Sequence, residues 1–194
     1  SMAHKLERVH AKSKHHPCNV LLSGPQGAGK TSMAMQFAAK YNRPCYIAAC
    51  VTMQEAGQWF GTQGVSPERG TFYLESQFVK AVETPDCVVV LDDMNRVENL
   101  KVLNPLFPLL DDRRWCHLED LRRTIRIASG VIFIGTANEG YQFQGTDPID
   151  LALNDRFSKV AVQYPPGAQI NEILIRKTGV SAQTAGILGN FASS

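Results

Sequence analysis

At 194 residues and 44% hydrophobic content, the chain is long enough for one full α/β domain plus part of a second, built around one main core. Its formal net charge of +2 is too small to draw it to nucleic acid or a membrane surface by bulk electrostatics. The longest uninterrupted apolar stretches, such as 87–91, fall far short of the ~20 residues of a membrane helix, and the first residues lack a signal-peptide apolar core. These features predict a cytoplasmic protein with no membrane partner. Cys18, Cys45, Cys50, Cys87 and Cys116 show no C-x-x-C spacing and read as reduced thiols, with Cys45, Cys50 and Cys87 in or beside apolar strand-like runs of the core.

Residues 1–16 are basic and histidine-rich with few apolar positions, which predicts a solvated lead-in ending near residue 18; His15 and His16 are weak candidates for lining a base pocket. A short apolar strand at 19–23 then runs into Gly24, Pro25, Gln26, Gly27, Ala28, Gly29, Lys30 and Thr31, an intact G-x-x-x-x-G-K-[ST] loop. Each residue type has a chemical task. Glycines let backbone N–H groups close around phosphate oxygens, Lys30 reaches the β and γ phosphates of a nucleoside triphosphate, and the Thr31 hydroxyl suits Mg²⁺. The helix starting at Lys30 adds its positive end. Pro25 through Ser32 are therefore the nucleotide-binding candidates.

After a helix over 33–41 and a buried strand over 44–49, the pattern reads as a βαβ unit. A short helix is expected between residues 52 and 60, an inserted hairpin over 61–72, and a helix over 73–82. Residues 88–91 form a fully apolar strand that ends on Asp92 and Asp93. Pro105 and Pro108 divide the next stretch into a helix from about Val97 and a second ending near Asp112. Residues 113–128 read as a projecting hairpin or mixed element, and 131–135 as the next buried strand. Asp147 and Pro148 start a short helix, 157–163 is a last strand, and 164–167 marks a boundary before helices at 168–178 and 181–191.

Two acids at the carboxyl end of a buried strand are where open α/β sheets place ligands. Asp92 is the metal-side acid, and Asp93 is placed to polarise an attacking water, with helix capping as its simpler use. Asn138, ending the strand before Glu139 and Gly140, is able to orient the water or touch the γ phosphate without adding charge; a turn-forming role is the simpler alternative. Arg156 stands just before the last strand and would be an ordinary surface residue on its own.

Taken in order, the loop at 24–31, Val88 to Arg96, Ile134 to Asn138 and Leu153 to Phe157 resemble the AAA+ superfamily of ATPases, closest to the branch of MoxR and CobS type proteins. The resemblance implies an α/β P-loop NTPase with a five-stranded parallel sheet flanked by helices, the Asn138 strand lying between the phosphate-loop and Asp92 strands, followed by a truncated small helical lid. The implied divisions are 1–18 lead-in, 19–164 nucleotide-binding domain and 165–194 partial lid. It implies ATP and Mg²⁺ as cofactors, with Thr31 and Asp92 at the metal, Asn138 as polar sensor and Arg156 as an arginine finger acting on a neighbouring subunit's ATP. It further implies a ring, usually hexameric, acting on a protein substrate or adaptor, with inserted hairpins at 61–72 and 113–128 projecting toward a pore or partner.

Arg113, Arg114, Arg122, Arg123 and Arg126 make the second hairpin basic, which admits nucleic acid as a partner but favours contacts between subunits bearing acids such as Asp111, Asp112, Glu119 and Asp120. Two features depart from the family pattern. Asp93 stands where the family usually has Glu, and a carboxylate drawn back by ~1 Å can cost about a hundredfold in rate. The lid stops at Ser194 with no second sensor arginine after Arg176, so the chain reads as a fragment of a longer protein. A nucleotide-gated assembly module with little hydrolysis and a nucleic-acid translocase are the competing readings. A P-loop kinase is disfavoured, and no N-K-x-D motif supports GTP over ATP.

Overall fold

Apolar runs bounded by turn residues become the strands of one parallel sheet. The computed structural model describes residues 2–68, 70–119, 122–138 and 151–185. Their elements are α1 (Met2–Lys12), β1 (Cys18–Gly24), α2 (Lys30–Lys40), β2 (Cys45–Ala49), β3 (Gly61–Ser66), β4 (Gly70–Glu75), α3 (Gln77–Val82), β5 (Val88–Asp92), α4 (Phe107–Leu110), β6 (Trp115–Leu118), β7 (Arg123–Arg126), β8 (Ile132–Asn138), α5 (Leu151–Asn154), β9 (Ser158–Ala161) and α6 (Gly167–Thr178). The five-stranded sheet has the order β2-β5-β8-β1-β9 with every pairing parallel. The strand carrying Asn138 therefore lies between the phosphate-loop strand and the Asp92 strand, as the resemblance implied.

Both faces of the sheet are covered, which explains why its central strands are continuous apolar runs. Alternation along each strand sends Leu21, Val89, Leu91 and Phe133 to a cluster with Trp59, Phe78, Leu103 and Leu106. Val20, Leu22, Val88, Val90, Ile132 and Ile134 face the other way, onto Ala34, Phe37 and Ala38 of α2. Two antiparallel hairpins, β3–β4 and β6–β7, stand apart from this sheet, at the places where inserts were expected.

Several local expectations are corrected. The basic segment at 1–16 is largely helix α1, with its lysines and Arg8 exposed to solvent as expected; Leu6 and Val9 nonetheless pack on the α2 side of the core, and His10 stacks on Tyr41 with ring centroids 3.8 Å apart. β2 is an edge strand, so Cys45 and Ile47 are exposed although Cys50 and Cys87 are buried. Residues 73–75 pair in β4, and the helix begins only after Ser76, whose Oγ accepts from the Val79 N–H at 3.3 Å and caps it. The stretch after Val97 is a 3₁₀ turn over Leu100–Leu106 leading into α4, because Pro105 removes an N–H that a continuous α-helix would use. The helix start at Asp147 and Pro148 lies outside the described residues.

By contact density the chain divides at Val162, and residues from Gln163 on form a second unit. There α6 ends on Gly179, in the left-handed region at φ 70, whose N–H donates to the Ile175 carbonyl at 3.0 Å. The helix expected at 181–191 is described only as far as Ala185, whose N–H donates to Ser181 at 2.9 Å.

Where β1 leaves the sheet, the Val162 N–H donates to the Ser23 carbonyl at 2.7 Å, and this presses the two backbones together. A Cβ at Gly24 would collide with the Val162 carbonyl oxygen. Gly24→Ala is accordingly expected to lower stability by about 1–3 kcal/mol, seen as a lower urea midpoint at unchanged m-value.

Candidate active site

Parallel pairing brings the carboxyl ends of β1, β8, β5 and β2 to one edge, since Gly24 pairs with Asn138 and Ala49 with Asp92 in register. The loop after Gly24 turns through Gly27 at φ 78 and Gly29 at φ 82, backbone conformations that a Cβ would strain. Ala28 donates its N–H to the Pro25 carbonyl at 3.3 Å and so closes the turn. Gly29 then starts α2 without a side-chain cap, which leaves the amides of its first turn, including those of Thr31 and Ser32, for an anion.

Lys30 is buried, and its described hydrogen bonds go to carbonyl and amide oxygens. Nζ donates to the carbonyls of Gly24 at 3.0 Å and Pro25 at 2.8 Å, and to Asn138 Oδ1 at 2.8 Å. Asn138 passes the contact on, because its Nδ2 donates to Asp93 Oδ1 at 2.9 Å. A cation on one side and an anion on the other fix the orientation of this amide. Asn138 is thus a bridge between Lys30 and Asp93, not a turn residue.

Asp93 does not cap the following turn with its side chain. Its backbone sits in the left-handed region at φ 55, which aims the carboxylate back across the sheet edge; Oδ1 meets Asn138, and Oδ2 accepts from Arg96 at 3.3 Å. Asp92 turns the other way and accepts from Thr31 Oγ1 at 2.6 Å and from Thr136 Oγ1 at 2.8 Å, both on its Oδ1. Thr31 and Asp92 place hard oxygen donors side by side, a donor set that fits Mg²⁺.

Three residues that sequence reasoning gave no role complete the edge. Thr136 also accepts from the Asp93 N–H at 2.9 Å, so one hydroxyl spaces both acids; it lies two positions before Asn138 and hence on the same strand face, a signal that was available. Asn95 grips the backbone of Asn138 at two points, accepting its N–H at 3.1 Å and donating to its carbonyl at 2.7 Å. Arg96 is the third, and no sequence pattern distinguishes it from a surface arginine. Cys50, fully buried, has its thiol pushed well up, first by burial and then by the Asp92 and Asp93 charges, so it remains a neutral wall of the site.

Arg156 is not at this edge. It precedes β9 at the opposite end of the sheet, its carbonyl accepting from Asn19 Nδ2 at 2.9 Å while its guanidinium lies 4.8 Å from the centre of the Phe107 ring. His16 lies at that same end, just before β1, so it does not line the edge where the phosphate loop sits.

The arginines of the second hairpin are mostly committed within the fold. Arg114 is half-buried, donating to Asn19, Leu109 and Val131 and facing the Phe133 ring, desolvation lowering its pKa to about 10. Arg123 pairs with Glu75 of β4 and Glu83 beyond α3, Arg113 with Asp111 at 3.4 Å, and Arg126 lies over Trp115. Asp120 lies outside the described residues.

Removing the Thr136 hydroxyl at constant shape releases Asp92 Oδ1 and the Asp93 N–H together. Thr136→Val is expected to weaken Mg·ATP binding by about tenfold or more while leaving Mg-free ATP binding unchanged, as read by titration calorimetry.

The AAA domain (dynein-related subfamily) matches residues 19–157. BssE of Thauera aromatica, a protein with a chaperone name, is 40% identical over 95% of this chain and 64% of its own length. Protein NorQ of Paracoccus denitrificans is 30% identical over 83% of this chain and 58% of its own. The chain thus spans less than two thirds of either relative. The Thermotoga maritima RuvB Holliday junction branch migration motor shares the fold, with a TM-score of 0.61 at 17% identity over 97% of this chain and 54% of that one. The sheet order, the phosphate loop and the match over residues 19–157 place the chain in the AAA domain family, among MoxR-like AAA+ ATPases.

Proposed function

We propose that this chain is the nucleotide-hydrolysing core of a cytoplasmic ring ATPase, usually a hexamer in the CobS-like pattern, that remodels a protein partner. The observation that carries this reading is the linked set Lys30–Asn138–Asp93 beside Thr31–Asp92, with Arg156 at the far end of the same sheet. Five steps of ~3.3 Å from Asn19 to Gly24 make about 17 Å, farther than an arginine side chain extends. Arg156 therefore has no access to the nucleotide of its own subunit and is placed to serve a neighbour's.

The work of each residue follows from its contacts. The glycine-turned loop and the start of α2 bind the phosphates, and Lys30 exchanges loop carbonyls for phosphate oxygens. Mg²⁺, held by Thr31 and Asp92, would neutralise charge on the β and γ phosphates. Asp93 takes a proton from the attacking water while Asn138 orients it. The neighbour's Arg156 stabilises charge developing on the transferred phosphoryl group, which makes turnover depend on assembly.

A second reading, a nucleotide-gated assembly module with little hydrolysis, is favoured by one observation. Asp93 is one methylene shorter than the family's usual Glu, and both its oxygens are engaged, by Asn138 and Arg96. A nucleic-acid translocase has less support, because Arg114 and Arg123 are spent on internal contacts.

The test is the Mg²⁺-dependent ATPase rate against protein concentration for the chain, Arg156→Ala, Lys30→Ala and a 1:1 mixture of the two variants. Recovery in the mixture is expected. A mixture as inactive as its parts, at full ATP binding, would leave only the binding module standing. Asp93→Glu separates the readings further. On the module reading its turnover rises by about tenfold or more with assembly unchanged, whereas on the motor reading the rate changes little.

A further inference from the structure

We propose that Asn19 is a positioning residue for Arg156, fixing where the guanidinium is presented to the adjoining subunit. The inference rests on the reading of Arg156 as a residue acting across subunits. Asn19 is a buried polar residue near the start of β1, where an apolar side chain would ordinarily continue the strand. Both its donor hydrogens and its oxygen are engaged. Nδ2 donates to the Arg156 carbonyl at 2.9 Å and to the Leu110 carbonyl at 2.6 Å, and Oδ1 accepts from Arg114 at 3.3 Å.

The orientation of this amide is set by chemistry. Arg114 offers only donors and the two carbonyls only acceptors, so a flipped amide would face like with like on both sides. Arg114 is itself held at several points, half-buried over Phe133 and donating to the Val131 carbonyl at 2.9 Å and the Leu109 carbonyl at 3.4 Å. The chain at Arg156 is therefore tied through Asn19 to a half-buried guanidinium.

The position in the ladder matters. β9 pairs with β1 only from Ser158 opposite Val20, so Arg156 lies just before the first backbone pairing. The Asn19 amide supplies a tether at the point where the ladder has not begun. Two further contacts orient the side chain, the Phe107 ring under the guanidinium and a bond from Nη1 to the Ala152 carbonyl at 2.5 Å; Nε is buried with no hydrogen-bond partner. Without the tether, Arg156 moves with its loop, and a shift of ~1 Å at a transition-state contact costs about a hundredfold in rate.

The experiment uses Asn19→Asp, which keeps size and the oxygen facing Arg114 but cannot donate to Arg156, and Asn19→Ser as a second variant. Each is tested for thermal unfolding, ATP affinity and ATPase rate, alone, combined with Arg156→Ala, and mixed 1:1 with Lys30→Ala. The expected result is a fall in kcat of about ten- to a hundredfold with KM unchanged, no further loss when Arg156→Ala is added, and several-fold recovery in the mixture, where Lys30→Ala subunits supply an intact Arg156.

Additive losses, or no recovery where the Arg156→Ala and Lys30→Ala mixture does recover, would overturn the assignment. So would failure of both variants to fold, which would make Asn19 a residue of the core. If the Arg156→Ala and Lys30→Ala mixture itself stays inactive, the trans reading of Arg156 fails first and takes this inference with it.

Discussion

The arrangement of the site depends on how one buried ammonium is accommodated. Lys30 sits in a region where an unpaired charge is costly, and no carboxylate touches it directly among its described hydrogen bonds. Two loop carbonyls and the Asn138 amide hold it instead, and the same amide reaches Asp93. An ion pair made directly would bind the lysine strongly to its own protein. A neutral amide between cation and anion keeps both in register while leaving the ammonium able to exchange a carbonyl for a phosphate oxygen. The backbone of Asn138 is in turn clamped by Asn95, so the position of this bridge is set by the main chain of β8 and not by side-chain packing alone.

The polarity of the sheet supplies the second constraint. Every pairing is parallel, so residues after strands collect at one edge and residues before strands at the other. Asp92, Asp93 and Asn138 end strands, whereas Asn19 and Arg156 begin them. No side-chain rearrangement brings Arg156 to its own phosphate loop while the ladder between β1 and β9 persists. On the proposed reading, dependence on a neighbour is thus a property of strand direction, and the ends of one sheet serve two different nucleotides.

What could be read in the sequence was what local pattern determines. The phosphate loop announces itself because its glycines, Lys30 and Thr31 are contiguous, and the apolar run ending in Asp92 and Asp93 is equally local. Order within the sheet came from resemblance, since pairing partners are set by tertiary packing. The misses have the same origin. Thr136 and Asn95 act through contacts between β8 and the turn after β5; the spacing of Thr136 from Asn138 hinted at the first, and nothing in its immediate neighbours marks Asn95. The α1 segment looked solvated because its cations and histidines are interspersed among few large apolar residues, yet Leu6 and Val9, three apart, are enough to seat one helical face. β2 looked buried because its composition matches the central strands, and its place at the edge is a matter of topology.

The arginines of the second insert show how charge count misleads where geometry decides. A run of five in fourteen positions, 113 to 126, suggests a surface for anions. In the fold, Arg114 is half-buried, and its planar fork satisfies carbonyls of two segments and the Asn19 amide at once, a task that a lysine ammonium performs poorly. Arg123 spends its fork on Glu75 and Glu83, joining the β6–β7 hairpin to the β3–β4 hairpin and to the end of α3. The two inserts are consequently tied to each other, and the second is also tied through Arg114 to the start of β1. Any displacement of the β6–β7 hairpin must stretch contacts that end at Asn19, one hydrogen bond from Arg156. Two of these arginines, Arg114 and Arg123, are therefore best understood as mechanical attachment, linking the two hairpins to the end of the sheet where Arg156 lies.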